Sequence, residues 1–223
     1  MIYRDTDGSR ILQFRVPVCP PSTKYPSPWD LAAKLTIEGK WSAATDARNR
    51  VLTRLKKDIG LATLLNIKKK HKYATSMLKK FLNKDEVKSV LGVGKTTAWV
   101  RCNKLVKNAL HEDVMKTVKT MVEDVVRKTR VLLYEGALDL KDGVLSVEAW
   151  VREMEWEGTP RFLEATREEW RVEGEVAGTV QSWGNLTHVV VFDAGHLAAA
   201  DRRMNTQAMI EGWVLQSGSF FRK

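Results

Sequence analysis

Two stretches decide the fold: residues 131–140, VLLYEGALDL, and residues 188–197, HVVVFDAGHL. Each contains a short apolar run of the kind found in strands that are buried on both faces of a sheet. A polar residue follows each run, Asp139 in the first stretch and His196 in the second. Because an acid and a base just past the ends of two buried strands fit catalysis, we predict an α/β fold in which the carboxylate of Asp139 faces the imidazole of His196.

The acid and the histidine are two members of a catalytic triad, and the third member, the nucleophile, is missing from this pattern. α/β-Hydrolases carry a nucleophile, an acid and a histidine in that chain order, with the serine in a G-x-S-x-G turn. This chain has the acid and the histidine in the right order, but G-x-S-x-G occurs nowhere in it. Taken singly, Asp139 could be a turn former and His196 a surface residue. Their order, each after an apolar run, together with the recognisable sequence around each, favours homologous triad positions.

Around these stretches the periodicity predicts further elements of an α/β region. A strand covers residues 130–134 and a helix residues 143–156. A hairpin turns at Gly174-Glu175, between residues 170–176 and 177–183, and the last strand covers residues 187–192. A closing helix runs over residues 204–215.

The upstream region reads as helical. A helix over residues 43–57 is stopped by Gly60. Asn83 is predicted to cap a short helix, with Glu86 in the capping-box position and Gly92 at its end. Its buried stripe is predicted to be Val87, Val90 and Leu91. Helices are also predicted over residues 97–109 and 114–127, the second with one apolar face: Val114, Val118, Met121, Val122 and Val125.

Composition divides the chain of 223 residues into four parts. Residues 1–30 hold five of the six prolines and are predicted to form an irregular arm. Residues 31–128 form a basic helical region, residues 129–217 an α/β part with the acid and histidine positions, and residues 218–223 a tail. Residues 1–130 hold 28 Lys and Arg against 12 Asp and Glu. This asymmetry leaves a nucleic-acid-binding or other basic interaction module as an alternative, but no aromatic stacking platform accompanies the lysines, so nucleic acid is an unlikely partner.

Several segments together resemble the serine carboxypeptidases, α/β-hydrolases that release C-terminal residues from peptides. The resemblance covers roughly residues 31–215 and is carried by the following segments: WSAATDARNR (41–50), LNIKKKHKY (65–73), KKFLNKDEVKSVLGVG (79–94), Trp99-Val100-Arg101-Cys102-Asn103, LLYEGALDLKDGVLSVEAW (132–150), WGNLTHVVVFDAGHLAAA (183–200) and NTQAMIEGWVL (205–215).

The resemblance implies roles for both residues and a peptide substrate. His196 would act as general base and acid, and Asp139 would hold its tautomer and stabilise the imidazolium. The family's serine elbow and oxyanion-hole donors lie in an N-terminal half that has no counterpart here. We therefore expect an incomplete α/β-hydrolase, truncated and catalytically inactive. The alternative is a fragment of a longer active enzyme.

Departures from the family follow His196. Leu197 stands where the family has methionine, alanines replace a stiff Val-Pro turn, and Asp193 replaces a small residue, which suggests relaxed constraint on the site. Cys102 is expected to lack its family disulfide partner, and a bridge to Cys19 is not readable from spacing. Family members usually enter the secretory pathway, yet the first ten residues show no apolar leader.

Other motifs predict little chemistry. Residues 92–97, GVGKTT, end like a P-loop, but Ser89 stands where its first glycine belongs, so a turn between helices is the better interpretation. His71, His111 and His188 have no partner at metal-ligand spacing, so we expect no metal and no cofactor. No apolar stretch is long enough to span a bilayer. An incomplete sheet would expose an edge, so self-association is expected.

Overall fold

The computed structural model describes residues 3–4, 10–11 and 28–217. The elements follow in chain order: β1 (Tyr3–Arg4), β2 (Arg10–Ile11), α1 (Pro28–Ile37), α2 (Trp41–Ile59), α3 (Ser76–Leu82), α4 (Asp85–Val90), α5 (Lys104–Ala109), a 3₁₀ turn (Glu112–Met115), α6 (Lys119–Lys128), β3 (Val131–Gly136), α7 (Val144–Arg152), α8 (Thr159–Glu164), β4 (Glu168–Val172), β5 (Glu175–Trp183), β6 (Leu186–Val191), α9 (Ala198–Asp201) and α10 (Arg203–Leu215). The predicted arm and the tail lie largely outside the described residues.

A four-stranded sheet in the order β3-β6-β5-β4 organises the C-terminal part. β3 and β6 are parallel neighbours, whereas β5 pairs antiparallel with both β6 and β4. The first and last predicted strands are confirmed. The predicted hairpin is present, but it turns at Glu173 and Gly174, which both have positive φ angles, rather than at Gly174 and Glu175, and residues 175–176 belong to its second strand. Because β3 and β6 run in the same direction, the residues that follow each of them meet at one end of the sheet.

Both faces of β6 are covered, and all six of its residues are buried. On one face Val189 and Val191 pack with Trp170 and with Met209 of α10. On the other, Leu186 packs with Val126 of α6 and with residues of α7 and α8. This two-sided burial explains the apolar run in the sequence. β3 is an edge strand of the sheet, and its first three residues are only half-buried.

In the helical region α1 packs on α2, and the buried apolar side chains of these two helices are Ala32, Ala44, Ala47, Val51 and Leu52. Gly60 ends α2 as predicted, because its left-handed conformation lets its N–H bond to Lys56 O and Lys57 O. Arg48 of α2 reaches the C-terminal part through an ion pair of 3.0 Å with Asp142.

Two predictions around α4 were wrong. Asn83 does not cap α4: Lys84 occupies that position, and the Asn83 side chain instead accepts from Trp99 N (2.8 Å) and donates to Trp99 O (3.0 Å). Its oxygen is therefore committed to a contact with a segment sixteen residues away. Val90 and Leu91 are exposed rather than buried.

The next two helices are shorter than predicted. The first is confined to α5 (Lys104–Ala109), and the second is divided into the 3₁₀ turn and α6. The predicted apolar face of the second helix is largely exposed, with Met121 and Val125 open to solvent. Burial falls instead on Val126, one position further along.

Candidate active site

The loops that follow β3 and β6 are joined by backbone hydrogen bonds. Ala137 N donates to Val191 O (2.9 Å) and Leu138 N donates to Ala194 O (2.8 Å). Gly136 lies so close to the carbonyls of Ala194 and Gly195 that a Cβ would collide with both. A side chain at position 136 would therefore force the two loops apart.

A third segment, residues 64–67, binds both loops. Leu140 N donates to Leu64 O (3.0 Å), and His196 N donates to Leu65 O (2.7 Å). A Cβ on Gly195 would collide with the carbonyl of Leu65, so this approach also requires glycine. The backbone before His196 is thus held by hydrogen bonds on both sides.

The structure brings Asp139 and His196 together at this end of the sheet. Nδ1 of His196 lies 2.8 Å from Oδ2 of Asp139. The Asp139 side chain is 1% exposed and the His196 side chain 37% exposed. An ionised carboxylate only accepts hydrogen bonds, so Nδ1 is the donor in this contact, and in the neutral imidazole the lone pair then lies on Nε2. A buried acid behind a half-open imidazole is the arrangement that a general base requires.

The second oxygen of Asp139 is also satisfied. Oδ1 accepts from Lys141 N (2.8 Å) and Asp142 N (3.2 Å), which fixes the carboxylate rotamer. The carboxylate of Asp142 lies further away, with Oδ2 at 3.9 Å from the imidazole, and is held by Arg48. Asp139 is therefore the direct partner of His196, and Asp142 contributes only a weaker field.

Asp201 holds the histidine loop and was not identified from the sequence. Oδ2 accepts from Gly195 N (2.9 Å), from Asn66 (2.9 Å) and from the Tyr73 hydroxyl (2.5 Å), while Lys69 lies 3.1 Å from Oδ1. Burial raises the pKa of Asp201, but these hydrogen bonds outweigh it and hold the pKa below its ordinary value. Burial and the bond to Asp201 raise the pKa of Tyr73.

Asp193, one of the departures from the family pattern, has a defined role in this loop. It adopts a left-handed conformation with φ of 53°, which aspartate tolerates better than most residues. Its carboxylate pairs with Lys68 and with Arg202, both at 2.8 Å. The pair with Lys68, assisted by Arg202, lowers the pKa of Asp193. These ion pairs connect the segment after residue 67 to the start of α10.

A second acid–histidine pair lies inside the sheet and was also missed. Oε1 of Glu135 on β3 hydrogen-bonds Nε2 of His188 on β6, and both side chains are buried. Arg167 donates to Nδ1 of His188 (3.2 Å) and to Gln181 (3.0 Å). The sequence contains a sign of this pair, because Glu135 and His188 are polar residues within otherwise apolar strands.

The remaining candidate residues lie apart from the pair. His111 contacts Asp46 (3.1 Å), and Cys102 is a free, exposed thiol. Within residues 28–217, no group of three or more His, Cys, Asp or Glu side chains is arranged to hold a metal ion. Residues 92–97 lie between α4 and α5, in a segment without regular structure.

A sheet that presents an acid and a histidine after parallel neighbouring strands is part of an α/β-hydrolase fold. Comparison with known proteins names the family. The model of the serine carboxypeptidase family matches residues 21–216. Serine carboxypeptidase-like 50 from Arabidopsis thaliana is 46% identical over 192 residues, which cover 86% of this chain and 43% of that protein. The chain therefore belongs to the serine carboxypeptidase family.

Two further matches agree. A serine carboxypeptidase-like protein from Pisum sativum is 31% identical over 196 residues, which cover 83% of this chain and 67% of that protein. The solved structure of a prohormone-processing carboxypeptidase from Saccharomyces cerevisiae superposes with a TM-score of 0.58 at 19% identity, over 70% of this chain and 36% of that chain. This chain spans less than half the length of the Arabidopsis relative. None of the described helices is both long and apolar enough to cross a membrane.

Proposed function

We propose that this chain supplies the acid and the histidine of a serine carboxypeptidase active centre. The observation that carries the proposal is the hydrogen bond of 2.8 Å between His196 Nδ1 and the buried carboxylate of Asp139. It leaves the Nε2 lone pair to take a proton from a serine hydroxyl as that oxygen attacks a peptide carbonyl. The same proton then passes to the leaving amine, and a water molecule activated in the same way releases the acyl group.

The nucleophile is supplied from outside this chain. No serine here lies in a G-x-S-x-G turn, and no described serine forms a hydrogen bond with His196. The chain alone is therefore expected to be inactive on peptides, because an ordinary surface serine has no oriented base.

Complementation tests this proposal. The part of the Arabidopsis relative that precedes its matched region is joined to this chain, and release of the C-terminal residue from a blocked dipeptide is measured. We expect turnover by the fusion and none by the chain alone. Asp139→Asn should lower kcat by about 10⁴-fold, and His196→Gln by about 10⁶-fold.

His111→Gln is the matched control, since it changes another histidine that pairs with a carboxylate but lies away from the Asp139–His196 pair. Its turnover should stay close to that of the parent fusion. Turnover that persists in the His196→Gln fusion would reject the assignment of the base.

The open edge of β3 supports a further part of the proposal, self-association of the isolated chain. Among the described residues β3 pairs only with β6, and Tyr134 in its centre is 44% exposed. An unpaired strand edge is a template for another strand. We expect sedimentation to show oligomers and a hydrophobic-surface dye to bind strongly. A clean monomer with negligible dye binding would contradict this part.

A further inference from the structure

A cavity of about 450 Å³ lies beside α2, and its wall includes Leu64, Leu65 and Lys141. Within the described part of the chain no carboxylate lines this cavity, which we name the cationic cavity. Five cationic side chains line it: Lys56, Lys72, Arg101, Lys107 and Lys141. The remaining lining residues, Leu52, Leu64 and Tyr73 among them, are apolar or uncharged. Such a cavity has the size of a ligand site and a single sign of charge.

Among the described residues, only one of the five cations has an ion-pair partner. Lys141 pairs with Asp142 (3.0 Å), and Arg101 donates to Tyr73 O (3.2 Å). Lys56, Lys72 and Lys107 form no ion pair with any residue of the described part of the chain. Like charges that share a cavity repel one another, and an anion that enters relieves that repulsion.

The overall basicity of the helical region does not account for this cluster. A second, more open cavity on the neighbouring surface of α2 also collects basic side chains, among them Arg50, Arg54 and Lys57. There the cations are accompanied by Asp46 and Asp58, and Asp58 pairs with Arg54 at 3.4 Å. Acidic side chains therefore offset most of the positive charge in one cavity of α2, whereas the described lining of the other carries positive charge alone.

The wall of the cationic cavity is bonded directly to the backbone that carries the acid and the histidine. Leu65, which lines the cavity, accepts from His196 N (2.7 Å), and Leu64 accepts from Leu140 N (3.0 Å). Lys141 donates its own N–H to Asp139 Oδ1 (2.8 Å). The wall of the cavity and the loops that carry Asp139 and His196 are therefore parts of one hydrogen-bonded unit, although neither of these two side chains lines the cavity.

We propose that the cationic cavity is a subsite for an acidic side chain of the peptide substrate, an inference that rests on the proposed function. Glutamate or aspartate would bind through Lys56, Lys72 and Lys107, with its methylene groups against the apolar lining. Single-stranded nucleic acid is disfavoured, because it needs successive aromatic surfaces for stacking, and among the described residues Tyr73 is the one aromatic side chain that lines the cavity.

Peptide binding to the complete chain tests this inference. A fluorescein-labelled blocked pentapeptide with two glutamates is compared, by fluorescence anisotropy, with the same peptide carrying glutamines. The glutamate peptide should bind about 10-fold more tightly at low salt, and the difference should shrink as salt is added. The triple variant Lys56→Ala/Lys72→Ala/Lys107→Ala should lose this preference, since each exposed pair contributes about 2- to 5-fold.

The triple variant Lys79→Ala/Lys80→Ala/Lys84→Ala is the matched control. It removes the same charge from exposed positions that do not line the cavity, and it should retain the preference. An equal loss in both triple variants would overturn the subsite, as would inorganic phosphate displacing the glutamate peptide at equal concentration. A single-stranded oligonucleotide of equal charge that binds more tightly through the same three lysines would reassign the cavity to nucleic acid.

The two proposals fail separately. Binding is measured on the chain without turnover, so an inactive fusion with a preserved glutamate preference would reject only the proposed function. An active fusion combined with no glutamate preference would reject only the subsite.

Discussion

Removal of either member of the buried Glu135–His188 pair should destabilise the sheet, and removal of both should not. The two side chains are 6% and 1% exposed and connect β3 to β6, the strands that position Asp139 and His196. Loss of the hydrogen-bond partner of a buried charge costs about 3–5 kcal/mol, whereas replacement of both groups by apolar groups of similar volume is often neutral.

The structure makes the two single substitutions unequal. Oε2 of Glu135 already has no hydrogen-bond partner, so His188→Phe would leave the whole carboxylate buried and unpaired, at about 3–5 kcal/mol. In Glu135→Leu, His188 keeps its hydrogen bond to Arg167 and only one of its ring nitrogens loses its partner. This substitution should cost about 1–3 kcal/mol of unfolding free energy. The double variant should lie within about 1 kcal/mol of the parent.

Urea unfolding of the full chain, followed by tryptophan fluorescence, measures all four proteins. In thermal unfolding of the same proteins, a cost of 3–5 kcal/mol would appear as a fall in Tm of roughly 6–20 °C for a chain of this size. If the double variant were destabilised by the sum of the two single effects, the pair would not be coupled and the reasoning would be refuted. The same would follow if His188→Phe cost less than Glu135→Leu.

Three further predictions concern the histidine loop and the sheet edge. Asp201→Asn should cost about 1–3 kcal/mol near pH 7. Because folding lowers the pKa of Asp201 from 3.8, the difference in unfolding free energy from the parent should shrink as the pH falls below about 4. Gly195→Ala should cost about 1–3 kcal/mol through its clash with Leu65 O, whereas Gly94→Ala, which meets only one side-chain atom at 3.8 Å, should be nearly neutral by thermal unfolding. Tyr134→Lys should reduce self-association in sedimentation, because an edge lysine opposes strand pairing, and unchanged association would place the contact elsewhere.

The sheet and the candidate pair could be predicted because their signals are local. Continuous apolar runs identified β3 and β6, and Gly174 marked the hairpin turn. Asp139 and His196 stood out because each follows a strand whose direction the α/β pattern fixes. The hydrogen bond between them then follows from parallel pairing, which brings their loops to one end of the sheet.

The supporting residues could not be predicted, because their partners are far away in the chain. Asp201 accepts a hydrogen bond from Asn66, which lies 135 positions earlier. Asn83 hydrogen-bonds to Trp99 instead of capping the helix that follows it. The apolar face that includes Met121 shows a different limit. Periodicity identifies a face that a helix could bury, but it does not say what covers that face.

The central claim is that His196, oriented by Asp139, is the base that activates a serine outside this chain. Its most direct test is the rate at which a fluorophosphonate probe labels the fusion with the preceding part of the Arabidopsis relative. We predict stoichiometric labelling on a serine of the joined part, strong slowing by His196→Gln, and no labelling of the isolated chain. Labelling of a serine within the isolated chain, or equal labelling rates with and without His196, would contradict the account.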